Sequence, residues 1–415
     1  MPLKLFVHDY SGHAFPVQLS RELALQGHRV VHAYSAAIES PRGGLALNQT
    51  DPSSLIIKAI GEAGSLNKYA LLRRVKEERK YGDQLADAIL QEDPDVVILC
   101  TTPNDVLDRM NALPSRMRVI WWLQDIYSIG IRNVLNRRLP LIGNLAGAIY
   151  HHKEKRFAAR ADHIVTITPD FIPHLRQLGV PPEKITVIEN WAPVDELLPA
   201  PLENAWKAEN GLSGRKLIVY SGTLGLKHNP AILAKAAQRF QDEGRDDVRI
   251  VVTTQGLGAD FLKAEIGKRG LRNLVVLPWQ PYERLAEMLS SAEILTAIIE
   301  PDASLFSVPS KILSCFCVGR PLVASLPTGN LAARTIEAAG AGFVVPPGDD
   351  AAFVSSLEKL LGDADLRARL GAAGRAYAEE KFDIAKIAKR FLAIVNQDFG
   401  RNVSANAAIS LVRRR

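Results

Sequence analysis

Short apolar runs recur along the chain, and most of them stop at a glycine, a proline or a polar residue. Runs of this kind are typical of strands that are buried on both faces of a parallel sheet. Between them lie stretches with apolar residues at helical spacing, such as the charged, amphipathic stretch Leu71–Glu92. The alternation predicts an α/β fold built from Rossmann-like, doubly wound parallel sheets.

The first half of the chain is expected to form one such sheet. Its strands are predicted at residues 3–7, 29–34, 94–100, 119–123, 161–168 and 187–191, whereas residues 41–66 are predicted to be irregular. Three prolines, Pro193, Pro199 and Pro201, then mark a linker. A domain boundary is therefore predicted near residue 194.

The second half repeats the pattern. Its strands are predicted at residues 216–222, 248–254, 275–278, 293–299, 322–325 and 341–345, with helices up to residue 243 and over 349–391. A chain of 415 residues exceeds one ordinary core, which supports several domains. We predict two Rossmann-like domains, 1–194 and 195–375, that face a central cleft, and a basic tail at 400–415 that is disordered or surface-bound.

The stretch 307–325 is the strongest candidate for a binding element. Pro309 fixes its own φ and favours a loop before a helix start, which Ser310 can cap. Lys311 then stands in the first turn, beside unpaired N–H groups that favour anions. The alternative is an ordinary loop, helix and strand with a surface lysine.

Polar residues also follow two predicted strands of the first half. Gln124 and Asp125 come at the carboxyl end of the strand 119–123, where such folds bind ligands. Asp125 could equally cap the next helix. Gly12 and His13 lie in the turn after the first strand, where His13 could polarise a substrate or be an ordinary surface residue. The turn lacks the G-x-G-x-x-G fingerprint, so a dinucleotide dehydrogenase gains no support.

Composition narrows the class of protein. The chain is 47% hydrophobic and 23% charged, as expected for a soluble globular protein. No apolar run approaches the roughly 18 residues of a membrane-spanning helix, and the N-terminus reads as a strand rather than a signal peptide. The three cysteines offer no disulfide framework and no metal-ligand spacing. We therefore expect a cytoplasmic protein.

Charge adds a candidate partner. The formal net charge of +6 favours anionic partners. Residues 131–160 mix apolar and basic side chains, which suits a helix lying on an anionic membrane surface. A helix that packs on the core and solvates its basic face would show the same mixture. Nucleic acid is not expected, because the basic residues are dispersed and not interleaved with aromatic residues.

Several motifs carry a resemblance to a known family. They are Gly27-His28-Arg29-Val30, RADHIVTIT at 160–168, VIENWAPVD at 187–195, YSGTLGLKHNP at 220–230, and VPSK at 308–311 followed by GRPLVAS. In this order and spacing they resemble a GT-B-fold retaining glycosyltransferase of family four, of the bacterial polysaccharide-assembly type. The likeness covers residues 1 to about 395.

The resemblance implies where substrates bind. The first domain would take the acceptor, through Gly12, His13 and Gln124, and a last helix at 376–399 would cross back to it. The second domain would take the nucleotide-sugar. Its donor-binding residues would be Gly222, Thr223, Gly225, Gln255, Gly256, Trp279, Gln280, Tyr282, Glu300, Asp302, Ser310 and Ser314. Trp279, Gln280 and Tyr282 follow the strand where relatives seat the nucleobase, although Trp279 could instead be a core residue.

The chain departs from the family pattern at two places. The two glutamates of the family's Glu-x7-Glu pair fall on Phe306 and Ser314, and Glu300 or Asp302 would have to replace one of them. The family's phosphate-binding arginine falls on Thr223, while Lys227 lies near the position of its lysine. We interpret both changes as variation within the family.

Transfer from a nucleotide diphosphate leaves negative charge on the β-phosphate, which cationic groups and N–H dipoles must stabilise. Lys311 and Lys227 are the candidate cations, and Asp125 is the candidate catalytic carboxylate of the first domain. By resemblance, attack comes from the front face with the leaving phosphate as base. No metal or cofactor is expected; a nucleotide-diphosphate sugar, UDP-type favoured, is the co-substrate.

The expected function is retaining transfer of a hexosyl or N-acetylhexosaminyl group to a lipid-linked glycan in cell-surface polysaccharide or exopolysaccharide biosynthesis. The expected place is the cytoplasm, with peripheral attachment to the inner face of the cell membrane. Two alternatives stay open. A nucleotide-sugar epimerase or a phosphorylase would share the fold. A catalytically inactive nucleotide-sugar-binding protein would account for the missing glutamates.

Overall fold

The computed structural model describes residues 2–38, 42–62, 71–136, 139–225 and 228–396. Within these ranges the strands form two parallel sheets, one in each half of the chain. The predicted α/β class with doubly wound parallel sheets is therefore confirmed. No helix of the described ranges is long and apolar enough to cross a membrane.

The first sheet has seven strands in the order β3-β2-β1-β4-β5-β6-β7. They are β1 (Lys4–Asp9), β2 (Arg29–Ser35), β3 (Leu55–Ile60), β4 (Val96–Cys100), β5 (Arg118–Leu123), β6 (His163–Thr166) and β7 (Ile185–Val187). The central strands β4 and β5 are buried at every position. Helices cover both faces of such a sheet, which is why its strands read as continuous apolar runs.

The helices of the first half connect these parallel strands. They are α1 (Ala14–Leu25), α2 (Leu71–Glu92), α3 (Asn104–Met110), α4 (Tyr127–Asn136), α5 (Pro140–Arg160) and α6 (Ile172–Gln177), and α7 (Ala205–Glu209) lies in the linker region. Helix α2 has the bounds that its pattern predicted. Because β1, β4 and β5 are parallel neighbours, the starts of α1, α3 and α4 gather at one edge of the sheet.

The second sheet has six strands in the order β10-β9-β8-β11-β12-β13. They are β8 (Lys216–Ser221), β9 (Val248–Thr253), β10 (Leu274–Leu277), β11 (Ile294–Ile298), β12 (Leu322–Ser325) and β13 (Gly342–Val345). The associated helices are α8 (Ala231–Asp242), α9 (Leu257–Arg269), α10 (Leu285–Ser290), α11 (Lys311–Cys317), α12 (Leu331–Ala339), α13 (Asp350–Gly362) and α14 (Ala364–Lys381). A last helix, α15, covers residues 384–396.

The predicted crossing segment 376–399 contains the end of α14 and the whole of α15, and these two helices pack on different halves of the chain. Helix α14 packs against α11 of the second half. In α15, Arg390 donates to the carbonyl of Val187 at 2.6 Å, and the ring of Phe391 lies 4.8 Å from that of Trp122. The crossing within the described chain is thus made by α15, while residues 397–399 and the tail 400–415 lie outside the described ranges. The domain boundaries at 194 and 375 stay predictions.

Two expectations about strands were wrong. The segment 41–66 was expected to be irregular, yet it contains β3, which pairs with β2 and forms the edge of the sheet among the described strands. The last strand of the first sheet was expected at 187–191 but ends at Val187. Beyond it, Trp191 turns into the core, where its ring stacks on Trp122 at 5.6 Å and its Nε1 donates to Gln18 at 2.8 Å.

Candidate active site

Strand β1 ends in a buried carboxylate that the sequence analysis did not select. Asp9 is fully buried and accepts hydrogen bonds from the backbone N–H of His13 and from the hydroxyl of Thr101. Burial by itself raises the pKa of Asp9, but the imidazole of His13, the hydroxyl of Thr101 and the imidazole of His32 hold this pKa below its ordinary value. Asp9 therefore stays ionised and fixes the turn that carries His13.

This turn depends on unusual backbone conformations. Gly12 has a φ of +73°, which favours glycine, and its N–H donates to the carbonyl of Asp9 at 3.2 Å. Thr101, at the end of β4, has a φ of +49°, which is rare for a β-branched residue. The Thr101 hydroxyl holds the Asp9 carboxylate in place at the sheet edge, while Gly12 closes the turn on the Asp9 backbone. Backbone strain of this kind clusters at functional sites.

The ends of β1, β4 and β5 enclose a cavity of about 210 Å³. Its polar lining consists of Ser11, His13, Thr101, Thr102, Asn104, Gln124, Asp125 and Tyr127. The structure therefore brings together His13 and the pair Gln124 and Asp125, which were selected from two separate parts of the sequence. Many hydroxyl and amide groups line this cavity, so it suits a ligand rich in hydrogen-bonding groups.

Two polar side chains of the lining are held from outside the cavity. The amides of Gln124 and Asn190 exchange hydrogen bonds of 3.2 and 2.7 Å, and Asn190 belongs to the joint between the halves. His8 lies 2.9 Å from both Thr102 Oγ1 and the hydroxyl of Tyr81. Burial lowers the pKa of His8 to about 3, so its imidazole is neutral and acts as a fixed hydrogen-bonding group.

In the second half, Lys311 begins the short helix α11. Its ammonium donates to the hydroxyl of Tyr220 and lies 3.8 Å from the centre of that ring. A Cβ placed on Gly222 would lie 3.5 Å from the same Nζ. The lysine is thus directed at the end of β8. A surface lysine, which was the alternative, would instead point into bulk solvent.

Burial changes the protonation of Lys311. It lowers the pKa of the ammonium to about 7, because the charged form loses hydration that nearby groups do not replace. The predicted cap of α11 is wrong: Ser310 occupies the cap position, but its side chain makes no capping hydrogen bond. Ser314 follows one turn later and is half-buried.

The turn after β8 is built around Gly222, whose φ of +122° excludes most side chains. The Tyr220 hydroxyl donates to the carbonyl of Thr223 at 2.8 Å, and His228 Nδ1 accepts from the N–H of Gly225 at 3.1 Å. Tyr220 therefore connects this turn to Lys311. Lys227, the second predicted cation, lies outside the described residues.

The turn after β9 packs directly against the turn after β8. Gly256 precedes α9 with a φ of +78°, and a Cβ on Gly258 would come within 2.2 Å of the Leu224 carbonyl. Gln255 is an exposed neighbour of Gly256 in this turn. Two of the predicted donor-binding loops are therefore adjacent at the carboxyl edge of the second sheet.

The three residues after β10 occupy different surroundings. Trp279 is half-buried. Gln280 accepts a hydrogen bond of 2.8 Å from the indole N–H of the buried Trp206, which gives it a structural role. Tyr282 donates to Glu196 at 2.7 Å, and its ring faces Gly44 of the first half. Tyr282 thus lies at the contact between the halves.

Phe306, one of the two positions where the resemblance implies a glutamate, has defined contacts. Phe306 is only 4% exposed; its carbonyl accepts from the N–H of Ile126, and its ring packs on Gly130 in α4. Nearby, Asn133 donates to the carbonyl of Asp302 at 3.2 Å. The loop with Glu300, Asp302 and Phe306 therefore touches the segment that follows Asp125. This contact places the cavity of the first half beside the loop that leads to Lys311.

Comparisons with known families cover most of the chain. A family model described as Glycosyltransferase Family 4 matches residues 15–196, and one described as Glycosyl transferases group 1 matches residues 203–377. The two matches fall on the two halves that carry the two sheets.

Curated relatives are similar over part of their length. The putative colanic acid biosynthesis glycosyl transferase WcaI of Escherichia coli K12 is 24% identical over 56% of this chain and 56% of its own. The alpha-D-kanosaminyltransferase of Streptomyces kanamyceticus is 29% identical over 39% of this chain and 40% of its own. The chain thus spans about half the length of the curated relatives that it matches.

Solved structures show the same fold over nearly the whole chain. The sucrose-phosphate synthase of Thermosynechococcus elongatus has a TM-score of 0.71 at 14% identity and covers 96% of this chain and 100% of its own. Anabaena HepE, solved in complex with UDP-glucose, has a TM-score of 0.68 at 15% identity and covers 95% of this chain and 100% of its own.

Proposed function

The chain belongs to the family-four glycosyltransferases of the GT-B fold, and we propose on that premise that it transfers a sugar from a nucleoside-diphosphate sugar to a glycan acceptor. The donor diphosphate binds at the turns after β8 and β9, next to Lys311. The acceptor binds in the cavity at the ends of β1, β4 and β5. UDP is the favoured nucleotide, since a structural relative was solved with UDP-glucose.

The observation that carries the proposal is the position of the Lys311 ammonium beside Tyr220 and Gly222. At pH 7 its lowered pKa of about 7 leaves the lysine only partly charged. A diphosphate would favour the charged form, so the lysine gains its full charge where negative charge develops during transfer. No bulky side chain stands between this ammonium and the Gly222 backbone.

The finer chemistry follows the family resemblance. We propose that transfer of a hexosyl or N-acetylhexosaminyl group retains the anomeric configuration, with the acceptor hydroxyl attacking from the face that the phosphate leaves. The leaving phosphate oxygen takes the proton of that hydroxyl. Asp125 and His13 position the acceptor or the sugar, and Gln124 stays fixed by Asn190.

A screen of nucleotide sugars tests this proposal. Binding of a ligand to the folded state at about 100 times its Kd adds roughly 2.7 kcal/mol to the unfolding free energy. We expect one of the UDP, GDP, ADP or dTDP sugars to raise the melting temperature of the purified full chain. NMR of the product from a lipid-linked glycan acceptor should then show a retained anomeric configuration.

The rival functions give different results in that experiment. A nucleotide-sugar epimerase would isomerise its donor without any acceptor. A binding protein without activity, which the replacement of both glutamates favours, would be stabilised by a donor yet leave it unchanged. Absence of stabilisation by every nucleoside diphosphate would remove the basis of the proposal.

We further propose that α5 places the enzyme on an anionic membrane, where a lipid-linked acceptor is reached. Leu141, Leu145 and Ile149 follow one another at helical spacing and are 86%, 65% and 48% exposed. Leu139 and Ile142 are also exposed. Large apolar side chains that cluster on a surface mark interaction sites.

Charge favours a membrane as the occupant of this face. Residues 126–161 contain seven basic residues and one acidic residue, a net +6 that equals the formal net charge of the whole chain. The one acidic residue, Glu154, is buried. His152 and Arg156 continue the exposed stripe at helical spacing, and Arg156 is half-exposed even though it pairs with Asp108. An apolar stripe continued by cations suits anionic lipid headgroups.

Leu145→Asp should weaken sedimentation with phosphatidylglycerol-containing vesicles by about 10- to 100-fold, because burying one leucine contributes roughly 1.5–3 kcal/mol. Leu25→Asp is the matched control, since Leu25 in α1 is 62% exposed. Equal binding to phosphatidylcholine vesicles, or equal loss in the control, would argue against the surface. A dimer in solution that Leu145→Asp dissociates would assign the face to a second copy instead.

A further inference from the structure

Helices α5 and α6 bring two histidines and a carboxylate together outside the cavity. His151 and Glu154 lie on one face of α5, and His174 projects from α6. One ligand atom from each of the three side chains lies within 4.8 Å of the others. His174 Nε2 is 2.9 Å from Glu154 Oε2, and the two imidazole rings meet edge to face at 5.7 Å.

The carboxylate at the centre of this group is firmly oriented. Glu154 Oε1 accepts from the backbone N–H of Ser128 at 2.8 Å and from the amide of Asn104 at 3.2 Å. Its Oε2 accepts from the Ser128 hydroxyl at 2.6 Å. Burial raises the pKa of Glu154, but His174 and Ser128 more than offset this and hold it below its ordinary value. Glu154 is therefore an ionised, buried carboxylate whose remaining acceptor site points at His174.

We propose that His151, Glu154 and His174 bind a divalent transition-metal ion of the zinc type, with one imidazole nitrogen from each histidine and Oε2 of Glu154 as ligands. Two imidazoles with one carboxylate suit zinc, cobalt or nickel rather than the oxygen-preferring Mg²⁺ and Ca²⁺. The ion takes the place of the hydrogen bond between His174 Nε2 and Glu154 Oε2. Each histidine binds it through an unprotonated ring nitrogen, and the other ring nitrogen carries the proton of the neutral imidazole. Ser128 and Asn104 keep the hydrogen bonds that orient the ligand carboxylate.

The site differs from the one proposed for transfer in place and in role. It lies behind the wall of the cavity. Asn104 and Tyr127 belong to the cavity lining, and Ser128 follows Tyr127 in α4. A bound ion therefore ties α5 and α6 to the residues that shape this wall. It takes no part in the transfer chemistry, so the inference stands without the proposed function.

Titration of the untagged, metal-stripped full chain with Co²⁺ tests the inference. We expect one equivalent to bind and produce visible absorption bands, and Zn²⁺ to displace it. Removing a residue that merely orients a metal ligand typically costs about 10- to 100-fold in affinity, and removing a ligand should cost at least as much. His151→Ala should therefore bind Co²⁺ at least 10-fold more weakly, and Ser128→Ala should show an intermediate loss.

His152→Ala is the matched control, because His152 is the exposed neighbour of His151 on the same helix and is not one of the three ligands. It should bind Co²⁺ as the parent chain does, and Zn²⁺ should raise the melting temperature of this control but not of His151→Ala. His151 is only half-buried, so its alanine variant should fold, as circular dichroism can check. Absence of Co²⁺ binding, or equal binding by His151→Ala and the parent, would overturn the inference.

Discussion

At the scale of single residues, the account depends on the surroundings of Lys311. Its Nζ has the Tyr220 hydroxyl as a hydrogen-bond acceptor, and burial lowers the pKa of the ammonium. A lysine that only filled space would not require the glycine at 222 or the hydroxyl at 220. We infer that Lys311 binds an anionic ligand, which would favour its charged form.

Replacing this cation should impair turnover far more than folding. Lys311→Met keeps most of the volume and removes the charge, so turnover should fall by about 10²–10³-fold, as for other lost donors to a developing negative charge. Steady-state kinetics with the donor found in the nucleotide screen measure the change. Lys263→Met, at an exposed position of α9, is the control and should retain normal turnover.

The lowered pKa also predicts how stability depends on pH. Lys311 has a pKa of about 7 in the folded protein and about 10.4 in the unfolded chain. Between these values the unfolded chain binds more protons at this position, so its contribution makes the unfolding free energy rise with pH. Denaturant unfolding of the parent and of Lys311→Met from pH 7 to 10 should show a smaller rise in the variant. Parallel curves would contradict the pKa assignment.

At the level of residues, the rule that polar side chains after parallel strands share one sheet edge selected residues that lie together. Asp125, Gln124 and His13 were selected because they follow strands, and all three line one cavity. Asp9 follows the first strand in the same way and could have been selected by the same rule. The missing capping bond of Ser310 could not be predicted from the residue type, because Ser310 has helical backbone angles (φ −69°, ψ −15°) instead of the extended ones that a capping serine adopts.

At the scale of elements, the contact between α4 and the loop after β11 explains one departure from the family pattern. Phe306 stands where the family resemblance leads us to expect a glutamate. Its ring packs on Gly130, and its carbonyl accepts from the N–H of Ile126. An apolar contact between the halves thus replaces an acidic side chain at this position. We infer that Phe306 sets the distance between the cavity and the Lys311 loop.

Gly130→Val should disturb this distance. A Cβ on Gly130 would already lie 3.1 Å from the Phe306 ring, and overpacking typically costs about 1–3 kcal/mol. We expect lower turnover with nearly unchanged nucleotide affinity, because the residues around Lys311 remain intact. Turnover assays and calorimetric titration with the nucleotide separate the two effects.

Gly267→Val provides the comparison for that variant. Gly267 also lies inside a helix, α9, and a Cβ there would have no neighbour within 4 Å. Both variants place a β-branched residue inside a helix, which affects helix stability in the same way. Only Gly130→Val strains the contact with Phe306. An equal loss of turnover in both would show that helix stability, not the contact, is responsible.

The apolar pattern predicted most elements but failed at the sheet margins. Strand β3 was missed because it is an edge strand with Lys58 in the middle and only its two end residues fully buried. The strand expected at 187–191 was misplaced because its apolar residues, Val187, Ile188 and Trp191, are compatible with either strand pairing or core packing. The N–H of Ile188 still donates to the carbonyl of Thr166, whereas the Trp191 side chain turns into the core and stacks on Trp122.

At the scale of the whole molecule, function requires the two halves to meet correctly. Direct contacts across the cleft include Ile126 with Phe306, Asn133 with Asp302, and Tyr282 with the Gly44 segment. The pattern of apolar and polar residues in the sequence of either half does not specify these contacts. The two-domain arrangement was predictable from the resemblance of ordered motifs, whereas its contacts depend on the shapes of both folded halves.

The most direct test is calorimetric titration of the full chain at pH 7 with the nucleoside diphosphate that stabilises it most. The account predicts one binding site, with affinity about 10- to 100-fold weaker in Lys311→Met, since a hydrogen bond to a charged group contributes roughly 1.5–3 kcal/mol. Lys263→Met should bind as the parent does. Equal affinity in Lys311→Met and the parent, or no binding of any nucleoside diphosphate, would contradict the account.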